Sequence, residues 1–202
     1  MKLYYSPGAC SLSPHIALRE AGYKFDTEQV DLGTKKTKSG ADYTKINPKG
    51  YVPALQLDNG ELLTEGVAIA NYLADQKPEA NLLPKNGGFD RYRAQEWLTF
   101  VSSEIHKTFG PLFNPKTPDG YRTIALEKLG QRFDYLNKHL EGKQYLMGSQ
   151  FTAADAYLFT VASWAPHLKV DLAKWPNVKA YVDRIAARPA VQAALKAEGL
   201  IQ

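Results

Sequence analysis

The feature that most limits what this chain can fold into is a change of period between its first and second parts. Residues 1 to 77 alternate strand and helix signals, while beyond a Pro-, Asn- and Gly-containing stretch from Pro78 to Gly88 nearly every segment has helical spacing. With 202 residues there is enough chain for a sizeable core on each side of that stretch. The expected organisation is an α/β domain over residues 1–78, a linker over 79–88 and an all-α domain over 89–202.

In the first part, Lys2 to Ser6 is strand-like, Pro7-Gly8 breaks it, and a helix follows Cys10, with Pro14 tolerable only in its first turn. That helix ends near Gly22, and Phe25 to Leu32 reads as a second strand. A loop and a short helical piece at Ala41 to Ile46 come next, then the turn cluster Asn47-Pro48-Lys49-Gly50. Val52 to Leu57 is a strand opening on proline, Asp58-Asn59-Gly60 a hairpin turn, and Glu61 to Thr64 the return strand. Glu65 begins a helix through Ile69, Tyr72 and Leu73. The order β-α-β-α-β-β-α predicts a mixed sheet with helices on its faces.

In the second part, Trp97, Val101, Ile105, Phe109 and Leu112 share one apolar face, and Thr99, Ser103 and His106 share another at i, i+4, i+7. Leu129, Phe133, Leu136 and Leu140 repeat the pattern after a break at Pro111, Pro115 and Pro118. Phe151-Thr152-Ala153-Ala154-Asp155 has the form of a capping box with a hydrophobic staple, opening the apolar run Ala156 to Ala165, which predicts a helix through the middle of the helical domain. On the capping scale, loss of Asp155 costs about 0.5–2 kcal/mol, and more if it is buried. Trp175-Pro176 and Arg188-Pro189 open one or two closing helices. There is no internal repeat or low-complexity tract.

Composition bounds the chemistry. The single cysteine, Cys10, excludes an intrachain disulfide, and the four histidines form no Cys/His set at zinc spacing. Neither a signal-peptide-like run nor a membrane-spanning length of apolar residues occurs, so a cytoplasmic protein without membrane association is expected. The net charge of +4 is modest, and its one dense basic run, Lys35, Lys36 and Lys38, lacks the aromatic interleaving of a nucleic-acid surface. That run reads either as a solvated loop or as a clamp for a small anion.

Cys10 stands past a short strand and at the mouth of a helix. Backbone N–H groups and the positive helix end there favour thiolate over thiol, lowering its pKa below about 8.5. The other reading is a buried cysteine acting as a small hydrophobe.

A small β-α-β-α-β-β-α domain with a thiol before its first helix is the thioredoxin-like arrangement. Val52-Pro53 falls where that arrangement carries a cis-proline loop, which turns the Val52 backbone towards Cys10 to pair with a peptide ligand. Thr64-Glu65-Gly66 opens a helix whose N–H groups suit a carboxylate, while the Glu65 side chain suits an ammonium group. A carboxylate and an amine on one carbon describe the γ-glutamyl end of glutathione, which also brings a thiol for Cys10 and a second carboxylate for Lys35.

Along its whole length the sequence resembles the bacterial beta-class glutathione transferases. The resemblance is carried by Tyr5-Ser6-Pro7-Gly8-Ala9-Cys10-Ser11-Leu12, Asn47-Pro48-Lys49-Gly50, Val52-Pro53-Ala54-Leu55, Leu63-Thr64-Glu65-Gly66-Val67-Ala68-Ile69, Glu104-Ile105-His106-Lys107 and Phe151-Thr152-Ala153-Ala154-Asp155-Ala156-Tyr157. It implies the cytosolic glutathione transferase fold, an α/β thioredoxin-like N-terminal domain with an all-α C-terminal helical domain, in a homodimer. It implies glutathione as co-substrate, contacted by Cys10, Lys35, Val52, Pro53, Glu65 and Gly66. It further implies that the facing helix of the second subunit completes the site through Thr99, Ser103 and Glu104, and that Ile105 and His106 are also among the glutathione-binding residues. Thr99 stands where many relatives carry Asn, keeping a hydroxyl but not the amide. By the same resemblance His106 lies near the thiols, and Trp164 walls a pocket for small hydrophobic electrophiles.

The implied reaction is attack of the glutathione thiolate on a halogenated aromatic or an activated alkene, with Cys10 and His106 as catalytic residues. Cys10 either forms a mixed disulfide with glutathione or polarises its sulfur, and His106 serves as base or donor. Tyr5 and Ser11 are further candidates, since other cytosolic classes use a hydroxyl near the first strand. Two alternatives stand beside the transferase. Ser13, three residues after Cys10, removes a dithiol cycle and leaves only a monothiol glutathione-dependent disulfide reductase. A non-catalytic protein binding glutathione or apolar ligands would need neither Cys10 nor the polar Thr99, Ser103 and His106 face.

Overall fold

In the computed structural model, which describes residues 1–202, β1 (Lys2–Tyr5) is the middle strand of a five-stranded sheet. The others are β2 (Asp26–Asp31), β3 (Lys36–Thr37), β4 (Ala54–Gln56) and β5 (Leu62–Thr64), in the order β3-β2-β1-β4-β5. β1 pairs in parallel with β2, and a parallel pair needs a crossover, supplied by helix α1 (Leu12–Glu20). The β1–β4, β4–β5 and β2–β3 pairs are antiparallel. Leu3 faces Leu55 across the β1–β4 pair, and both are fully buried.

The observed elements depart from the sequence expectation at three places in this half, one being that β4 begins at Ala54 rather than at Val52. The stretch expected as a loop after the second strand contains β3, a strand too short to show a period. Helix α2 (Tyr43–Ile46) starts two residues later than expected. Asp42 caps it, accepting from the Thr44 N–H at 2.9 Å and the Thr44 hydroxyl at 2.6 Å. Helix α3 (Gly66–Gln76) follows β5 directly. Tyr4, Val30, Tyr43, Val52 and Ala54 form one buried cluster of this half.

The chain divides into two compact units, 1–85 together with 188–202, and 86–187. The expectation of one helical domain over 89–202 therefore fails for its last fifteen residues. Helix α9 (Pro189–Ala197) packs on α1, and the reason is polar as well as apolar. Glu198, its side chain fully buried, accepts from His15 Nδ1 at 2.8 Å and from the Gly8 N–H at 2.9 Å. Arg19 Nε donates to His15 Nε2 at 3.0 Å, which leaves Nδ1 as the nitrogen that donates to Glu198. Arg188 forks onto Glu20 at 2.6 and 2.8 Å.

The second unit holds α4 (Phe89–Phe100), α5 (Lys107–Phe109), α6 (Asp119–His139), α7 (Ala153–Ala162) and α8 (Pro176–Ala186). Trp97, Val101, Ile105, Phe109 and Leu112 are all buried, as are Leu129, Phe133, Leu136 and Leu140. Val101–His106 is a π-helical turn joining α4 to α5. Its i→i+5 spacing turns the chain less per residue than an α-helix does. Thr99 and Ser103 remain exposed, but His106 is carried inward, so the three do not share one face as α-helical spacing predicts.

Every residue of α7 is buried. Its start is the expected capping box, and Asp155 does more than cap. Its Oδ2 accepts from the Thr152 N–H at 2.7 Å and the Thr152 hydroxyl at 2.9 Å. Its Oδ1 accepts from the Leu146 N–H at 2.8 Å and the Tyr181 hydroxyl at 3.0 Å. Burial pushes the carboxyl up from 3.8 to about 6 against these four bonds, so it is ionised at neutral pH. Because the unfolded chain releases this proton first, the contribution of Asp155 to stability falls as pH rises from about 4 to about 6. Asp155→Ala leaves the Leu146 N–H and the Thr152 N–H and hydroxyl without their acceptor, while Tyr181 keeps only the main-chain carbonyl of residue 155 at 3.3 Å, and is expected to cost about 3–5 kcal/mol in urea unfolding at pH 7. Asp155→Asn is expected to flatten the pH 4–6 slope; a loss below about 1 kcal/mol for the alanine variant would contradict this role.

Candidate functional site

The thiol stands in the turn between β1 and α1. Gly8, at φ +69°, takes the left-handed conformation that this turn requires. The Ala9 N–H then closes the turn onto the Ser6 carbonyl at 3.0 Å. Cys10 is half-buried, and its Sγ donates to the Val52 carbonyl at 3.2 Å. Only the protonated thiol makes that bond.

Of the two hydroxyls near the first strand, that of Ser11 is engaged by the backbone of Ser6. Ser11 is buried, its Oγ accepting from the Ser6 N–H at 3.1 Å and donating to the Ser6 carbonyl at 3.3 Å. Tyr5 is buried against the His15 ring, and burial, then the charges of Glu198 and Glu28, push its phenol above the usual range.

Val52 is aimed by the loop that precedes it. Tyr43, inside the sheet core, donates its hydroxyl to the Tyr51 carbonyl at 3.0 Å, and buried Asn47 donates its amide to the same carbonyl at 2.8 Å. The Val52–Pro53 bond is cis. Lys35 Nζ donates to the Gly50 carbonyl at 2.7 Å, tying the turn that follows β2 to this loop.

Glu65 caps α3 at φ +69°, an unusual conformation for a side-chain-bearing residue, and its carboxylate faces solvent. Glu65 Oε1 accepts from Lys49 Nζ at 2.6 Å and from the Tyr51 hydroxyl at 2.7 Å. Those bonds hold the Lys49 ammonium and the Tyr51 phenol above their usual ranges. Gly66 lies against Pro53, whose Cγ is 4.0 Å from where a Cβ would stand. Cys10, Lys35, Val52, Pro53, Glu65 and Gly66 thus frame one loop, residues 47–53. Nothing in the sequence pattern assigns Lys49 and Tyr51 to this site. Their bonds to Glu65 span 16 and 14 residues and depend on how β4 and β5 fold back, so no local spacing announces them.

On the helical unit, Ser103 donates its hydroxyl to the Thr99 carbonyl at 2.9 Å. Glu104 Oε2 accepts from Arg132 Nε at 2.9 Å and Nη2 at 2.7 Å, with Lys128 at 3.4 Å, and Arg132 chiefly holds the carboxyl below its usual range. Ile105 is completely buried, so, contrary to expectation, it presents no surface to a ligand. His106 Nδ1 lies 2.7 Å from the Tyr157 hydroxyl, and its ring meets Trp164 edge-on at 5.1 Å. Burial, then the Lys107 charge, push the imidazole down to about 4. Trp164 also stacks edge-on with Phe109 and Phe113. Tyr157 is a further residue that the sequence pattern leaves without a role, although it closes the motif that begins at Phe151.

No group of three or more His, Cys, Asp and Glu side chains gathers at metal-binding distance, and no helix is long and apolar enough to cross a membrane.

Residues 1–75 match the family model "Glutathione S-transferase, N-terminal domain", and residues 100–189 match "Glutathione S-transferase, C-terminal domain". The chain is 49% identical to glutathione S-transferase GstA of Escherichia coli O157:H7 over 200 residues, covering 99% of this chain and 100% of that protein. The structure of a sphingomonad glutathione S-transferase complexed with glutathione superposes at a TM-score of 0.95, with 49% identity and all of both chains covered. The beta-class glutathione S-transferase of Sphingomonas chungbukensis superposes at 0.96, with 51% identity over all of both chains. With both halves matched and relatives of this identity along its whole length, the chain belongs to the glutathione S-transferase family, in its bacterial beta class.

Proposed function

We propose that the protein is a glutathione transferase that joins the glutathione sulfur to small apolar electrophiles, with Cys10 beside that sulfur or bonded to it. The observation that carries the reading is the 3.2 Å approach of Cys10 Sγ to the Val52 carbonyl. A peptide that pairs strand-like with this carbonyl has its own cysteine alongside Cys10. Further support comes from Glu65, a carboxylate at the start of α3 suited to the γ-glutamyl ammonium, and from the α3 N-terminus, suited to the neighbouring carboxylate. Lys35 is close enough to the loop to serve the glycyl carboxylate.

In the reaction the thiolate attacks an electrophilic carbon, a C–S bond forms, and the leaving halide departs with its electron pair. With an activated alkene, the adjacent carbon takes up a proton instead. The enzyme's work is to hold the tripeptide and keep its sulfur ionised at neutral pH.

His106 fits a donor better than a base. An imidazole titrating at about 4 cannot hold a proton taken from a thiol of pKa about 8.5. With the Tyr157 phenol donating to Nδ1, Nε2 carries the hydrogen that a thiolate accepts. A homodimer completed across α4 and the π turn that follows it, through Thr99, Ser103 and Glu104, belongs to the same proposal. It is supported by the aromatic surface of α4 and α6, where Phe89, Tyr92 and Tyr135 are 69%, 61% and 53% exposed. A cytoplasmic location accords with the single free thiol.

Two measurements test the reading. Conjugation of an activated aryl chloride, assayed beside reduction of a mixed disulfide, should show transferase activity that falls about tenfold or more in Cys10→Ala. Glutathione bound to the wild-type protein with neither activity would sink the enzyme reading, and full conjugation by Cys10→Ala would remove the thiol from activation. In a proton NMR titration, the His106 ring resonances should stay unmoved from pH 8 to about 5 and shift near 4. A midpoint near 6.5 would return His106 to the role of base.

A further inference from the structure

The seat proposed for the γ-glutamyl ammonium is taken, in the chain itself, by another ammonium. Lys49 Nζ lies 2.6 Å from Glu65 Oε1 and 3.0 Å from Thr64 Oγ1, and 5.8 Å above the Tyr51 ring. The Tyr51 hydroxyl fills the same Oε1 at 2.7 Å. Lys49 reaches this place because its backbone is fixed. Its N–H donates to Asn47 Oδ1 at 3.2 Å, and Gly50 turns the chain at φ +69°.

We infer that Lys49 is an internal competitor for the Glu65 carboxylate, which a ligand ammonium must displace or lie beside. The inference rests on the reading of Glu65 given above. A carboxylate oxygen offers two acceptor positions, and on Oε1 both are engaged by donors of this chain. An ammonium arriving at that oxygen must break the Lys49 bond. If it arrives at the other oxygen, it stands within a few ångströms of a like charge. Either way Lys49 subtracts from the affinity for the free amine while leaving the rest of the tripeptide unaffected.

The pair is solvent-exposed, with Lys49 and Glu65 side chains 46% and 58% accessible, so the effect is that of a surface ion pair. Calorimetry compares glutathione with glutaryl-cysteinyl-glycine, the same tripeptide without the α-amine, on wild type, Lys49→Gln and Lys49→Arg. Lys49→Gln should tighten glutathione about two- to fivefold while the deaminated tripeptide binds no more tightly than to wild type. Lys49→Arg, which keeps the cation and its reach, should keep wild-type affinity. Equal tightening of both ligands, or weaker glutathione binding in Lys49→Gln, overturns the inference. Wild-type protein that binds neither ligand instead removes the reading of Glu65, and the competitor with it. Loss of discrimination between the two ligands in Glu65→Gln, with the Lys49 result negative, leaves the seat standing and removes only the competitor.

Discussion

The site hangs on one peptide carbonyl. The Tyr51 oxygen receives the Tyr43 hydroxyl and the Asn47 amide, both from buried side chains, and so the backbone of residues 47–53 has one course. A buried donor left without its acceptor costs about 1–3 kcal/mol, so neither partner can let go cheaply. Three consequences follow within a few residues. Val52 turns its carbonyl to Cys10, the Tyr51 phenol reaches Glu65, and Lys49 swings onto the same carboxylate. Tyr43 meanwhile packs on Tyr4 within the sheet core, at a ring separation of 5.6 Å. Core and site are therefore joined through one side chain rather than laid side by side.

Two buried carboxylates play matching parts elsewhere, one in each unit. Glu198 gathers His15 and the Gly8 N–H, and so fastens the turn that bears the thiol to the end of the chain. Leu200 adds an apolar contact, its Cδ2 standing 3.5 Å from where a Cβ on Gly8 would be. Asp155 gathers Thr152, Leu146 and Tyr181 and fixes the start of the wholly buried α7. A buried carboxylate is tolerated only when its acceptor positions are filled; Glu198 meets that condition through partners far away in the sequence, and Asp155 through local Thr152 together with the more distant Leu146 and Tyr181. The two differ in what they hold: Glu198 steadies the turn that bears Cys10, and Asp155 steadies the start of α7.

Much of the fold is legible in the sequence. The strand and helix order of the first part follows from alternation and from the turn residues Pro7-Gly8, Asn47-Pro48 and Asn59-Gly60. The capping box at Thr152 and Asp155 is local, three residues apart, and is readable for that reason. Cys10, Val52 and Glu65 are legible as a set because each sits at a strand or helix boundary with its own signature. The rest is hidden by distance or by departures from regular geometry. β3 is two residues long, and the π turn over Val101–His106 breaks the α-helical arithmetic that aligns Thr99, Ser103 and His106. Ile105 is fully buried while Glu104 beside it is partly exposed.

By itself the sequence determined the two classes of structure and the chemical types available at the element boundaries. Those are local matters, set by side-chain period, backbone propensity and capping, and they act over a few residues at a time. The tertiary structure alone decided which of those groups meet. It brought Lys49 and Tyr51 to Glu65, returned residues 188–202 to the first unit, committed Ser11 to Ser6, and set His106 against Tyr157 in surroundings that keep the ring uncharged at neutral pH. The physical reason is that hydrogen bonds and desolvation act over distances of a few ångströms in space, and separation along the chain does not report those distances.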